Sequence, residues 1–269
     1  MRNLIYQVYG GKMGGPEKHS SRLLTEYAVR IGAEYRLDID KPVASKTCDV
    51  EYYFEWLNFM LDDTFLEYDN LLIIDMDIYP VDNLTKDIFK DFIETGKEFG
   101  VCTEPFQGKM RKSVTVGGGI NAENDEKWNK VVAKRYGKQM PRDANGDLIA
   151  YNAGMVLVSK AGVLKARNKF EKFQTYISAM RNAGLPRFYT VDQNYFHCQM
   201  VIHGDYAELD NGWNGYIHYV RGPLGEITPI HDGRTDKPKF VHIQLSGGSN
   251  YNNDKIDRIT NLQIDGWLL

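Results

Sequence analysis

The chain has 269 residues, enough to bury one sizeable core in a single large domain. Its formal net charge of −3 provides no global basic field, so we expect no nucleic-acid partner. Three cysteines without paired or metal-ligand spacing fit a reducing compartment. No apolar run reaches the ~20 residues of a membrane span. A strand expected at Leu4–Val8 leaves no room for a signal peptide, so we expect a cytoplasmic protein without a membrane span.

The predicted elements mostly alternate between strand and helix. The first part of the chain predicts, in order, strand Leu4–Val8, helix Pro16–Arg30, strand Glu34–Leu37, helix Val50–Leu66, strand Leu71–Ile74, a helix from Pro80 toward Glu94 and strand Phe99–Thr103. The remainder predicts strand Ser113–Val116, helix Asn124–Arg135, a polar loop Pro141–Asp147, strand Met155–Val158, helix Ala161–Ala183, a short helix Thr190–Met200 and strand Phe240–Leu245. This order indicates an α/β fold with a mostly parallel mixed sheet flanked by helices. No repeat or shift in composition marks a domain boundary, so we expect a single domain.

Two carboxylates follow the most apolar strand of the chain. Leu71–Ile74 runs directly into Asp75, Met76 and Asp77. The end of a buried strand is where an open α/β sheet binds its ligand. Carboxylates this close repel each other unless a cation lies between them. The motif therefore favours a cation site, with an acidic turn after a core strand as the alternative.

A second candidate region is the end of the first strand. Tyr6, Gln7, Val8 and Tyr9 lie where nucleotide bases bind in open α/β sheets, and an aromatic ring there could stack on a base. The glycine-rich segment Gly10–Gly15 that follows matches neither a Walker loop nor the dinucleotide fingerprint. A flexible turn is the alternative interpretation of that segment.

Five segments together resemble glycosyltransferase family 8, a family with the GT-A fold. They are Asp75-Met76-Asp77, Tyr151-Asn152-Ala153-Gly154, Asp192-Gln193, Leu209-Asp210-Asn211-Gly212-Trp213-Asn214, and Phe240-Val241-His242 followed by Gly247-Gly248. Each segment is weak alone, but they occur in the family's order over most of the chain. The resemblance implies one GT-A-like domain over residues 1–269. A nucleotide-binding part would span about 1–120, and a sugar- and acceptor-binding part about 121–269.

The resemblance implies a metal-dependent enzyme that transfers a hexose from a UDP-sugar to an acceptor hydroxyl with retention of configuration. The donor would be of the glucose or galactose type, and the acceptor a glycan or another hydroxyl compound. Asp75, Asp77 and His242 would bind the metal. An imidazole among the ligands favours Mn²⁺ over Ca²⁺, with Mg²⁺ also possible.

The resemblance also assigns the residues around the donor. The base would lie against Tyr6, Gln7, Val8 and Tyr9 and the backbone near Met76, the diphosphate between the metal and Gly247-Gly248, and the sugar near Asn152, Ala153 and Gly154. Gln193 would lie at the anomeric carbon as a catalytic group, and Asp192 would bind hydroxyls of the sugar.

Two departures from the family pattern concern cations. The family commonly has Lys-Pro-Trp after its last motif, where this chain has Ser249-Asn250-Tyr251. It also commonly has a basic residue in the helix before the metal motif, where this chain has Trp56-Leu57-Asn58. We therefore assign the cation for the leaving group to Lys12, in a glycine-rich loop expected to be mobile.

Two other functions remain open at this point. The run from Leu71 to Asp77 also fits the nucleophile strand of haloacid-dehalogenase-like phosphatases, with Asp75 as nucleophile and Asp77 as acid/base. That family places the motif closer to the chain start and has Thr or Val where this chain has Tyr79. A non-catalytic nucleotide-sugar or glycan-binding module is the other alternative, since Trp56 and Trp213 suit stacking on sugars.

Overall fold

The structure, a computed structural model, describes residues 1–104, 111–112, 119–221, 227–231 and 238–245. Its strands are β1 (Asn3–Tyr9), β2 (Glu34–Ile39), β3 (Asn70–Ile74), β4 (Ile78–Pro80), β5 (Phe99–Thr103), β6 (Tyr151–Ser159), β7 (Tyr206–Glu208), β8 (Gly215–Arg221), β9 (Ile227–His231) and β10 (Phe240–Leu245). Its described α-helices are α1 (Gly15–Ile31), α2 (Ala44–Cys48), α3 (Ile88–Glu94), α4 (Ala122–Tyr136), α5 (Lys160–Lys169), α6 (Phe173–Asn182) and α7 (Asp192–His203). Short 3-10 helices lie at Tyr52–Met60, Asp63–Glu67, Arg187–Thr190 and Asn211–Asn214.

Six strands form the main sheet in the order β2-β1-β3-β6-β5-β7. Five of them run in one direction, and β6 is antiparallel to both of its neighbours, β3 and β5. The predicted fold class is therefore confirmed: an α/β fold with a mostly parallel mixed sheet flanked by helices. The carboxyl ends of β1, β3 and β5 meet at one edge of this sheet, which is also where β6 begins.

The core lies on both faces of the main sheet. Along β1, Leu4 and Tyr6 pack into one apolar layer, whereas Ile5 between them packs into the other. This alternation follows from the period of two in a strand, where successive side chains point to opposite faces. Because both faces are covered, β3 has no polar side and reads as the continuous run Leu71–Ile74.

Four strands form a second sheet in the order β4-β10-β8-β9. Strand β10 pairs antiparallel with β4, so that His242 lies opposite Ile78. The ring of Phe240 at the start of β10 packs edge-on against Tyr27 and Trp213, with ring centroids 5.2 and 5.4 Å away. These contacts join β10 to α1 and to the 3-10 helix Asn211–Asn214. The sequence did not predict β4, β7, β8 or β9.

The single helix predicted over Val50–Leu66 is wrong. Two 3-10 helices, Tyr52–Met60 and Asp63–Glu67, occupy this range. The Asp62 side chain accepts a hydrogen bond from the Thr64 N–H, which starts the second helix and interrupts the first. Such short-range capping by aspartate competes with helix continuation, which an apolar periodicity alone does not reveal.

Two further helix predictions have wrong bounds. The helix expected from Pro80 begins only at α3, where Asp87 caps it by accepting from the Phe89 N–H. Pro80 instead ends β4, an edge strand, where a missing N–H is tolerated. The helix predicted over Ala161–Ala183 is broken into α5 and α6. At the break, the Glu171 N–H donates to Gln199 and its carbonyl accepts from Tyr195.

Two expectations from the sequence stay without a structural outcome. The strand predicted at Ser113–Val116 lies outside the described residues. The division into nucleotide-binding and acceptor-binding parts near residue 120 stays a prediction. Among the described residues, no helix is both long enough and apolar enough to cross a membrane.

Candidate metal centre

The predicted ligands Asp75, Asp77 and His242 converge at the carboxyl edge of the main sheet. One ligand atom from each residue lies within 4.8 Å of the others, and His242 Nε2 is 3.3 Å from Asp77 Oδ1. His242 is buried, Asp77 is partly buried, and Asp75 is exposed to solvent. Strands β3 and β10, distant in sequence, therefore build one three-residue group with two oxygen ligands and one nitrogen ligand.

Backbone and amide hydrogen bonds fix the two aspartates in place. The Asp75 N–H donates to the Gly154 carbonyl at 2.8 Å, and the Ile243 N–H donates to the Asp77 carbonyl at 3.0 Å. The side chain of Gln7 donates from Nε2 to the Asp75 carbonyl, also at 3.0 Å. Strands β1, β6 and β10 thus each anchor the turn that carries both carboxylates.

Asn214 orients the imidazole of His242. Its Oδ1 lies 3.1 Å from His242 Nδ1, and both side chains are buried. An amide oxygen only accepts, so Nδ1 must carry the proton and Nε2 faces Asp77. A partner that fixes the tautomer in this way is a common support of metal-binding histidines. Asn214 ends the fourth of the five segments that resemble the family, but the sequence alone did not indicate a role for it.

The missing side chain of Gly154 makes room for two of the three proposed ligands. A Cβ atom at this position would come within 2.6 Å of His242 Cε1, 2.8 Å of Asn152 Oδ1 and 3.0 Å of Asp75 Oδ2. Any side chain would therefore press against two of the proposed ligands. The glycine thus lets His242 and Asp75 pack directly against β6, and the oxygen and nitrogen donors of the group are suited to a divalent cation, so the residues present fit a metal ion.

The charges of the group also favour a cation. The pKa of Asp75 is raised above its usual range, mainly because the surrounding protein desolvates the carboxylate and secondly because the Asp77 carboxylate repels its charge. Asp192 adds to this effect. Burial disfavours the charged imidazole, but the nearby Asp77 and Asp75 carboxylates outweigh burial and raise the pKa of His242. Without a metal, the group is therefore expected to bind protons in place of the missing positive charge.

Asp192 and Gln193 lie at the first turn of α7, and both are partly exposed. The Asp192 carboxylate accepts a hydrogen bond from the indole Nε1–H of Trp56. Burial raises the pKa of Asp192 to about 6, while the Trp56 hydrogen bond lowers it. Because Asp192 also acts on the pKa of Asp75, its charge lies within electrostatic reach of the ligand group. The catalytic and sugar-binding roles of this pair stay predictions.

Glu104 is a buried carboxylate at this edge that sequence reasoning missed. It directly follows β5 and accepts a hydrogen bond from Asn152 Nδ2, while Asn152 Oδ1 accepts from the Gly154 N–H at 2.8 Å. Glu104 also contributes to the raised pKa of His242. Its position after an apolar strand, like that of Asp75, was a signal available in the sequence.

The residues predicted to contact the base differ in exposure. The Tyr6 ring is fully buried against Phe65, and the amide of Gln7 is used by Ser20, Tyr35 and the Asp75 carbonyl. A stacking role for the Tyr6 ring therefore does not fit the structure. Val8 and Tyr9 are partly exposed, Lys12 is exposed, and Gly247-Gly248 lie outside the described residues.

Trp56 and Trp213 are buried, so neither ring offers a surface for sugar stacking.

Comparison with known proteins gives structural likeness only. No family model matches the chain, and no curated protein matches it. The chain is similar to a glycosyltransferase involved in the glycosylation of the major capsid of PBCV-1, with 14% identity, 91% of this chain and 94% of that chain covered, and a TM-score of 0.45.

Two further solved structures are also similar to the chain. The galactosyltransferase LgtC, in complex with donor and acceptor sugar analogs, has 11% identity, coverage of 92% of this chain and 88% of that chain, and a TM-score of 0.47. A197 from STIV has 14% identity, coverage of 70% and 80%, and a TM-score of 0.33. Similarity at this level does not identify the family of the chain, and its function has to follow from its own residues.

We expect Asn214→Ala to lower the affinity for Mn²⁺ by about 10- to 100-fold, because the imidazole loses the partner that fixes its orientation. Isothermal titration calorimetry measures the effect. Asn70→Ala is the matched control, because Asn70 is also buried but bonds to Asn3 at the opposite edge of the sheet. Its affinity should equal that of the wild type. Equal affinity in Asn214→Ala would contradict the orienting role.

The affinity for Mn²⁺ should rise as the pH rises. The pKa values of Asp75 and His242 are raised, so below them protons occupy the ligand atoms and compete with the metal. Between about pH 5 and about pH 8, the affinity for Mn²⁺ is expected to rise about tenfold per pH unit for each proton that the metal displaces. The rise stops once the group concerned is deprotonated. Calorimetry in buffers of different ionisation enthalpy would show proton release on binding. A constant affinity over this range would refute the expectation.

Proposed function

We propose that this protein is a metal-dependent glycosyltransferase that transfers a hexose from a UDP-sugar to the hydroxyl of a glycan or another acceptor. The observation that carries the proposal is the convergence of Asp75, Asp77 and His242 at the carboxyl edge of the sheet, with Asn214 orienting the imidazole. Oxygen ligands with one imidazole suit Mn²⁺, and Mg²⁺ is the second candidate. A glucose- or galactose-type donor follows from the sequence resemblance.

The leaving group explains why such a site needs a cation. Departure of the sugar leaves negative charge on the diphosphate of the nucleotide, and a bound divalent ion stabilises that charge. Asp75, Asp77 and His242 hold the ion at the edge of the sheet. Lys12 is exposed in the loop after β1 and supplies a second positive charge to the diphosphate in this proposal.

The donor would lie along the carboxyl edge, from the end of β1 to the first turn of α7. Val8 and Tyr9 offer partly exposed side chains for the base, whereas Tyr6 and Gln7 contribute through the backbone and through positioning of the Asp75 turn. The base would also contact the backbone near Met76, the diphosphate would lie between the metal and Gly247-Gly248, and the sugar beside Asn152, Ala153 and Gly154.

The residues near the sugar suit retention of the anomeric configuration. A double displacement requires a carboxylate as nucleophile at the anomeric carbon. Gln193 is proposed at that position, and a neutral amide is a poor nucleophile. Its oxygen instead stabilises the positive charge that develops on the sugar, while the leaving phosphate accepts the proton of the acceptor hydroxyl. Asp192 orients hydroxyls of the donor sugar.

The function is tested by incubating the protein with a panel of nucleotide sugars and Mn²⁺ and measuring release of the nucleotide. We expect slow hydrolysis of UDP-glucose or UDP-galactose without acceptor, loss of this activity in excess EDTA, and nearly complete loss in Asp75→Ala and Asp77→Ala. Circular dichroism controls for folding. Full activity in excess EDTA would refute the metal-dependent mechanism. Hydrolysis of p-nitrophenyl phosphate alone would indicate the phosphatase, and binding of UDP-sugars without hydrolysis would indicate the binding module.

An α-linked donor should give an α-linked product. We expect Gln193→Ala to lower turnover by about 10- to 100-fold without abolishing it, the range for loss of one supporting electrostatic group. Nuclear magnetic resonance of the product shows the anomeric configuration. Gln174→Ala, at an exposed glutamine of α6, is the control and should retain turnover. A β-linked product would overturn the front-face mechanism and make Asp192 a candidate general base.

A further inference from the structure

We propose that Trp56 is a positioning residue that fixes the carboxylate of Asp192 for the donor sugar. The inference rests on the proposed function, since it concerns how the donor is bound and activated. It assigns a role to a side chain that the sequence suggested only as an aromatic surface. That surface role is excluded because the Trp56 side chain is only 5% exposed.

The contact joins two distant parts of the chain. Trp56 lies in the 3-10 helix Tyr52–Met60, and its indole Nε1–H donates to Asp192 Oδ2 at the first turn of α7. The ring of Trp56 also packs edge-on against Phe196 one turn further along α7, with centroids 5.1 Å apart and planes at 68°. The hydrogen bond and the ring contact hold both the position and the direction of the indole.

Because the hydrogen-bond donor is an indole, Asp192 keeps its negative charge. An indole offers one N–H and no charge, so it occupies one oxygen of the carboxylate and does not neutralise it. None of the ion pairs found among the described residues involves Asp192. Backbone N–H groups of Asp192 and Gln193 also bond to this carboxylate. These donors are neutral like the indole, so the carboxylate keeps its negative charge for a sugar hydroxyl or for positive charge that develops on the sugar. A lysine or arginine at position 56 would instead compensate that charge.

A carboxylate that is already fixed binds the sugar more favourably than a mobile one, because binding then costs no side-chain entropy. The terminal torsion of aspartate is broad, so without Trp56 the carboxylate is held only by the backbone N–H groups of its own turn and samples a wider range of orientations. Loss of the indole N–H removes a hydrogen bond to a charged group. We expect turnover of UDP-glucose or UDP-galactose to fall by about 10- to 100-fold in Trp56→Phe, whereas the affinity for UDP, which lacks the sugar, changes little.

Trp128→Phe is the matched control. Trp128 is similarly buried, and its indole Nε1–H donates to Tyr176 at 2.9 Å between α4 and α6. The substitution removes an indole hydrogen bond, here to a neutral phenol, from the same core layer without touching Asp192. Its turnover should stay near that of the wild type even where its melting temperature falls. Equal losses of turnover in the two variants would mean that Trp56 acts only through stability.

A double-mutant cycle separates positioning from a general structural role. In the Asp192→Ala background, Trp56→Phe should cost no further turnover, since its target is gone. If Trp56→Phe lowers turnover by the same factor in both backgrounds, the positioning role is refuted while the proposed function stands. If the wild type releases nucleotide from no nucleotide sugar, the proposed function fails, and with it the role toward a donor sugar.

A second measurement tests the contact without any activity. In a ¹H–¹⁵N spectrum, the indole resonance assigned by Trp56→Phe should shift in Asp192→Ala, and the Trp128 indole resonance should not. An unchanged Trp56 resonance would refute the hydrogen bond on which the inference depends. A shift together with an inactive wild type would locate the failure in the proposed function and not in the contact.

Discussion

The site depends on the pairing of β10 with β4 beside the turn after β3. This pairing places His242 opposite Ile78, and the hydrogen bond from the Ile243 N–H to the Asp77 carbonyl fixes the distance between the imidazole and the carboxylates. The aromatic contacts of Phe240 with Tyr27 and Trp213 hold the strand in that register. His242 therefore reaches Asp75 and Asp77 through the pairing of a strand that lies far away in the sequence.

Burial and the neighbouring carboxylates act in opposite directions on the pKa of His242 and in the same direction on the pKa of Asp75. Burial alone would make His242 neutral, yet the neighbouring carboxylates raise its pKa. The same negative charge raises the pKa of Asp75. A divalent cation resolves both effects at once, because it supplies the positive charge that protons otherwise supply. Gly154 provides the room and Asn214 the direction that such an ion requires.

The polar groups around the ligands form a connected set. Gln7 joins β1 and α1 to the Asp75 turn, Asn152 joins Gly154 to Glu104, and Trp56 joins a 3-10 helix to Asp192. Each bridge satisfies a buried polar group that would otherwise cost stability. The groups that fix the proposed site are therefore also groups that stabilise the fold, which explains why a positioning role has to be separated from a structural one.

The fold class and the proposed ligand pair Asp75 and Asp77 could be predicted from the sequence, because a continuous apolar run is typical of a strand covered on both faces and its end marks the binding edge. It also indicated His242, through order of motifs. The tertiary structure was needed to show that His242 meets the aspartates, that β6 runs antiparallel, that Asn214 and Glu104 lie beside this group, and that Trp56 bonds to Asp192. These depend on strand pairing and hydrogen bonds between residues far apart in the chain, which local periodicity does not encode.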